Sequence, residues 1–185
     1  MAEKTTGKSA VREWVETFVI AAVLAAFIMA FVVRSVWVDG QSMEPNFHNG
    51  ERLLVDEVTY RFRPPQRGEV VVVRIPSKPA PFIKRVIGLP GDNLYITDGR
   101  LQLNGKPVAE PYIKEPIERE WGPYVVPPDT VFVMGDNRNN SEDSRFTEVG
   151  YVSRRQIVGR AVARYWPLSR IGLIRKPAPW NEPQG

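Results

Sequence analysis

The 185-residue chain has no cysteine and a single histidine. Without cysteine there is no disulfide framework, thiolate zinc site, iron–sulfur cluster or cysteine nucleophile. The compartment stays open, because exported proteins can also dispense with thiols. One histidine excludes a multi-histidine metal site and leaves any serine–histidine–aspartate triad dependent on His48. Hydrolytic chemistry is therefore expected to use other groups. No strong charge of one sign is present either: 25 basic against 21 acidic residues give a net +4. That balance tolerates an anionic surface as partner without requiring one. Long helical periodicity is missing after residue 35, and 17 prolines with 14 glycines favour turns and short strands.

What is present begins with one apolar run. Residues 18–33 read FVIAAVLAAFIMAFVV, sixteen positions without a polar side-chain atom. With its flanks the run is long enough to cross a bilayer, and it predicts an anchor helix over 14–34. Trp14 and Trp37 lie where an aromatic belt would sit, and Arg34 is placed to reach the headgroups. No small-x-small cleavage site follows, which argues against a removable leader, and an apolar surface all round argues against an amphipathic core helix. Lys4, Lys8 and Arg12 precede the run, so residues 1–13 are expected in the cytoplasm and residues 35–176 outside it.

The body beyond residue 35 predicts an all-β fold, a closed or partly closed antiparallel barrel. Short β-branched runs occur at 53–55, 70–73, 82–87, 131–133 and 157–164, separated by Gly, Pro, Asn and Asp. Asp98-Gly99 and Asn104-Gly105 read as tight turns. Residues 93–128 are expected to form a small ribbon or loop insertion, with 105–128 outside the core. Residues 154–176 hold seven basic residues and no acid, either a solvated face or a surface near anionic lipid. Residues 177–185 are expected to be a flexible tail.

Three clusters could carry chemistry. Ser42 lies between Gly40 and Pro45 and reads either as a turn serine or as a reactive hydroxyl. In a strand over 82–87, Lys84 shares its face with Phe82 and Val86. It either snorkels to solvent or is desolvated into a neutral amine able to act as general base. Residues 135–145, GDNRNNSEDSR, follow a buried strand and can form a polar loop in which Asp136, Arg138, Asp143 and Arg145 pair.

In this order, SMEP at 42–45, KRVIGLPGD at 84–92 and MGDNRNNSEDSR at 134–145 resemble the signature boxes of the type I signal peptidases, a serine–lysine peptidase family. RGEVVVV at 67–73 and RYWPLSRIG at 164–172 resemble further family segments. The resemblance implies that Ser42 is the nucleophile, Lys84 its general base and Ser141 the hydroxyl that orients the lysine. It implies that Asp143–Arg145 and Asp136–Arg138 are supporting ion pairs, and that the Ser42 N–H is one oxyanion donor. Gly40 stands where many members carry a serine as second donor, and Asn46-Phe47 stands for the usual Thr-Leu. Val36, Val38, Met43, Phe47, Phe82 and Ile83 correspond to residues that line pockets for small substrate side chains. The implied activity is removal of signal peptides from exported preproteins at Ala-x-Ala-type sites, through an acyl-enzyme. The implied setting is the cell membrane, single-pass, near the translocation machinery.

No metal or cofactor is implied, nucleic acid is not an expected partner, and His48 has no assigned role. Repressor-type self-cleaving peptidases share the dyad but lack the anchor and the GDNR loop. A conjugation-type maturation peptidase and a non-catalytic, membrane-anchored β-domain that binds exported peptides are the remaining alternatives.

Overall fold

The computed structural model describes residues 10–31 and 33–180, and the side chains of that range apart from 10–11 and 24–31. Helix α1 spans Ala10–Phe31. Its described side chains include exposed Trp14, Phe18, Val19, Ile20 and Val23. Counting only described residues, no helix is both long and apolar enough to cross a membrane. The anchor expected at 14–34 falls in part outside that description. Its C-terminal boundary differs from expectation, because strand β1 already spans Val33–Trp37. Arg34 accordingly pairs with Val55 across the sheet, and its guanidinium meets Glu57 at 2.8 Å.

The remainder is mainly β. Strands β2 (Arg52–Asp56), β3 (Val70–Val73), β4 (Phe82–Gly88), β9 (Thr130–Met134), β10 (Val152–Ser153), β11 (Ile157–Trp166) and β12 (Gly172–Leu173) join β1 in one antiparallel sheet. Its order is β1-β2-β11-β3-β4-β9-β10, with β12 on β11, so it is curled but open at β1 and β10. β3 and β4 are buried along almost their whole length, as expected where both sheet faces are covered. One face packs Val38, Met43, Phe47, Leu53, Val55, Val70, Val72, Ile83 and Ala161. The other packs Val71, Val73, Ile75, Val86, Val131, Val133 and Val152.

A second sheet holds β5 (Asn93–Thr97), β6 (Arg100–Leu103), β7 (Lys106–Pro107) and β8 (Trp121–Val125) in the order β7-β6-β5-β8. Both of its tight turns take positive φ: 50° and 72° at Asp98-Gly99, and 52° and 79° at Asn104-Gly105. These are the paired left-handed values that a two-residue hairpin needs. Two expectations are corrected here. Tyr112, Ile117 and Val126 are buried, so 105–128 contributes to the core. Trp180 is buried at 3% exposure, so the chain stays packed past residue 176. The absent side chain of Gly68 makes room for its indole, because a Cβ there would run into Trp180.

The pairing of the strands decides what meets what. β1 and β2 are joined by residues 38–51, and Val38 N–H to Glu51 O (2.8 Å) with Gly50 N–H to Val38 O (2.9 Å) close that loop at its base. β4 pairs with β9 through Arg85↔Met134. The loop that leaves β9 therefore starts beside Lys84 and Arg85.

Candidate active site

Met43 and Phe47 bury their side chains in the core beneath loop 38–51 and so hold Ser42 at the top of a turn. β4 brings Lys84 under it: Nζ lies 2.8 Å from Ser42 Oγ. Lys84 is 4% exposed, and its Nζ sits 5.0 Å from the centre of the Phe82 ring. Burial pulls its pKa from the usual 10.5 down to about 8, against upward pushes from Asp143, Glu142 and Asp136 and with a downward one from Arg145. Of the two sequence readings, the desolvated amine is the one the fold produces. In its neutral form this amine can take the Ser42 proton across the same 2.8 Å.

The loop after β9 packs against the turn that bears Ser42. Asn137 N–H donates to Ser42 O at 3.0 Å, and Asn137 Nδ2 donates to Gln41 O at 3.1 Å. Gly40 N–H is occupied by Asn49 Oδ1 at 2.9 Å. Asp143 and Arg145 form the expected pair, Nε to Oδ1 at 2.8 Å and Nη2 to Oδ2 at 2.9 Å. Asp143 Oδ2 also accepts from Gly135 N–H at 3.0 Å. Ser141 Oγ is buried without a hydrogen-bond partner, so no bond from it to Lys84 is formed here.

The second pair differs from expectation. Asp136 does not meet Arg138; it accepts from Arg85 Nε at 2.8 Å and Arg85 Nη2 at 2.6 Å, and from Asn46 Nδ2 at 2.8 Å. Arg138 instead holds Glu110, at 2.7 Å and 2.6 Å. Residues two apart on a turning backbone diverge, and each finds a partner on another element. Arg85 lies on the face of β4 opposite Lys84, which the alternation of a strand already dictated. Nothing in the sequence marked Glu110 or Tyr112.

The expected pocket residues divide. Val38, Met43, Phe47 and Ile83 are buried in the core. Val36 and Phe82 are half-buried and Gly40 is exposed, so these three keep surface available. His48 is exposed, 3.8 Å from Glu44.

A family described as "Signal peptidase, peptidase S26" matches residues 11–166. The chain belongs to this family. It is similar to "Signal peptidase I" of Leptolyngbya laminosa, 42% identical over 184 residues that cover 95% of this chain and 90% of the relative. "Signal peptidase I" of Bacillus amyloliquefaciens is 38% identical, covering 91% of this chain and 95% of its own. A crystal structure of a signal peptidase I from Enterococcus faecalis is 28% identical and covers 53% of this chain and 97% of its own, with a TM-score of 0.47. The chain is thus a hydrolase, a serine endopeptidase.

One substitution reads out how tightly the two loops are packed. A Cβ on Gly135 would overlap Ser141 Oγ and the Ser42 carbonyl oxygen, and would lie 2.6 Å from Ser141 Cβ. The backbone oxygen cannot swing away as a flexible side chain would, so Gly135→Ala must displace the Ser42 turn. Overpacking of this kind costs about 1–3 kcal/mol. The expected result is a folded protein, melting a few degrees lower, with turnover reduced by about 10²-fold. Thermal melts and peptide cleavage assays check both parts.

Proposed function

We propose that this signal peptidase family member removes signal peptides from exported preproteins with Ser42 as nucleophile and Lys84 as general base. The contact of 2.8 Å between Lys84 Nζ and Ser42 Oγ, at a lysine with 4% exposure, carries the reading. The neutral amine takes the Oγ proton, Oγ attacks the scissile carbonyl and an ester acyl-enzyme forms. The amine then activates the water that releases it. The Ser42 N–H faces the developing oxyanion, and Asp143–Arg145, Asp136 and Arg138 hold the adjoining loop. An extended peptide docks beside Ser42 as an added strand, with small side chains set against the surface of Val36 and Phe82.

The setting is the cell membrane. We assign 14–34 as a single-pass anchor with the N-terminus in the cytoplasm and the β body outside, beside the translocation machinery. The exposed Trp14, Phe18, Val19, Ile20 and Val23 of α1 suit lipid. Ser42 follows the run by nine residues, a reach of at most about 30 Å, which keeps the nucleophile near the bilayer where a tethered precursor is cut.

Cleavage of a preprotein with an Ala-x-Ala site, in detergent, tests the assignment. Ser42→Ala is expected to remove turnover entirely within detection. Residual cleavage within tenfold of the parent overturns Ser42 as nucleophile.

A further inference from the structure

The segment 110–114 lies between β7 and β8 and belongs to neither sheet. It nevertheless touches both loops of the site. Glu110 takes both terminal nitrogens of Arg138, at 2.7 Å and 2.6 Å, with side-chain exposures of 3% and 0% for the pair. The Nε of the same guanidinium donates to Gly135 O at 3.0 Å. Tyr112 O accepts from Asn46 Nδ2 at 2.7 Å, on the nucleophile loop. Lys114 N–H donates to Asp136 O at 3.2 Å, and Lys114 Nζ reaches Glu44 at 3.2 Å. The Tyr112 ring lies 4.8 Å from the guanidinium of Arg85 and 5.9 Å from that of Arg138.

We propose that segment 110–114 is a clip that locks the nucleophile loop to the loop bearing Ser141, and that Glu110 is its positioning residue. The carboxylate acts through Arg138. A guanidinium forked on Glu110 is fixed in plane, and its remaining N–H then fixes the carbonyl of Gly135. Gly135 is the residue whose Cα packs between Ser141 and the Ser42 carbonyl. Tyr112 OH donates to Glu110 Oε1 at 2.6 Å, and Trp180 Nε1 donates to Tyr112 OH at 2.9 Å. Burial and the neighbouring carboxylate push the phenol of Tyr112 well above its usual range, so it stays a donor. The C-terminal segment thus closes the clip from behind.

This inference rests on the Ser42–Lys84 reading. Ser42 Oγ touches Lys84, and the charges that act on its amine are Asp143, Glu142, Arg145 and Asp136. All except Ser42 sit on the loop that the clip holds, so loosening it admits water to the amine and lets its protonation return toward that of a free lysine.

The test uses the full chain in detergent with an Ala-x-Ala precursor peptide. Glu110→Gln is expected to lower kcat by about 10²-fold with KM within about threefold. It is also expected to move the acid limb of the pH profile upward by about half a pH unit or more. Glu110→Asp, which keeps the charge, recovers part of both. A role in stability alone lowers the melting temperature and leaves the acid limb in place; that result, or normal kcat, overturns the proposal. Should Glu110→Gln not fold, Tyr112→Phe decides, since it removes one donor to Glu110 and keeps the ion pair. A smaller kcat loss with the same upward limb shift supports the clip, and an unmoved profile overturns it. Ser42→Ala and Lys84→Ala are measured alongside. If either of these stays active the dyad reading fails; if both are inactive while Glu110→Gln is normal, only the role of Glu110 fails.

Discussion

Lys84→Ala is expected to lose at least about 10³-fold in kcat/KM, the scale of a general base that is also the sole activator of its nucleophile. Lys84→Arg is expected to be as inactive at every pH. It keeps a cation and several donors, but a guanidinium does not deprotonate in this range. The two variants together separate base catalysis from charge: retention of activity by the arginine variant would mean that a positive charge beside Ser42 suffices.

The parent enzyme is expected to carry the same signature in its pH profile, which initial rates on the precursor from pH 6 to 10 would check. With Lys84 lowered to about 8, kcat/KM is expected to rise roughly tenfold per pH unit below that value and to level above it. The same shift has a sign for folding. The unfolded chain holds the lysine proton up to 10.5 and the folded one only to about 8. Between those values the unfolded state binds more protons, so stability rises with pH across the window. Below pH 8 the buried ammonium costs about 3 kcal/mol. Lys84→Met is therefore expected to melt higher than the parent at pH 7 while being inactive, and to lose that advantage as pH rises toward 10.5. A melt series from pH 7 to 10 checks it.

The features legible in the sequence are those that leave a local mark. β3 is readable from four consecutive valines and the two hairpins from Asp98-Gly99 and Asn104-Gly105, while Phe82 and Val86 on the face of Lys84 left both a snorkelling and a buried lysine open. β1 was not readable, because its first residue, Val33, closes the apolar run whose helical part ends at Phe31, and Arg34-Ser35 interrupt any strand pattern after it. Phe47 packs into the core beneath the Ser42 loop, a placement that no local pattern announces. The ion pairs show the limit most clearly. Asp143–Arg145 closes locally, over a turn in which Phe146 N–H bonds Asp143 O at 2.9 Å. Asp136 reaches Arg85 across 51 positions and Arg138 reaches Glu110 across 28. Long-range polar pairs have no period and no compositional signal, so segment 110–114 and Trp180 read as a loop and a tail.

Breaking the Asp136–Arg85 pair is expected to have the largest effect on stability. Asp136 is fully buried and Arg85 is 3% exposed. Arg85 spends its other donor on Gly68 O at 2.9 Å. Asp136→Ala leaves a guanidinium buried without its counter-charge and Asn46 with Tyr112 O as its remaining acceptor. Stranding one partner of such a pair costs about 3–5 kcal/mol. For a chain of this size that is a fall of about 6–20 °C in melting temperature. Much of the cost is the stranded charge and not the lost attraction, which the double variant can show. Arg85→Met/Asp136→Met removes both charges and is expected to recover most of the melting temperature. It is not expected to recover turnover, because Asn46 then has no carboxylate to tie the Ser42 loop to the residue beside Gly135. Urea titrations and cleavage rates on the single and double variants separate the two effects. A double variant as unstable as Asp136→Ala would place the energy in the attraction itself, and one with normal turnover would remove this pair from the positioning of Ser42.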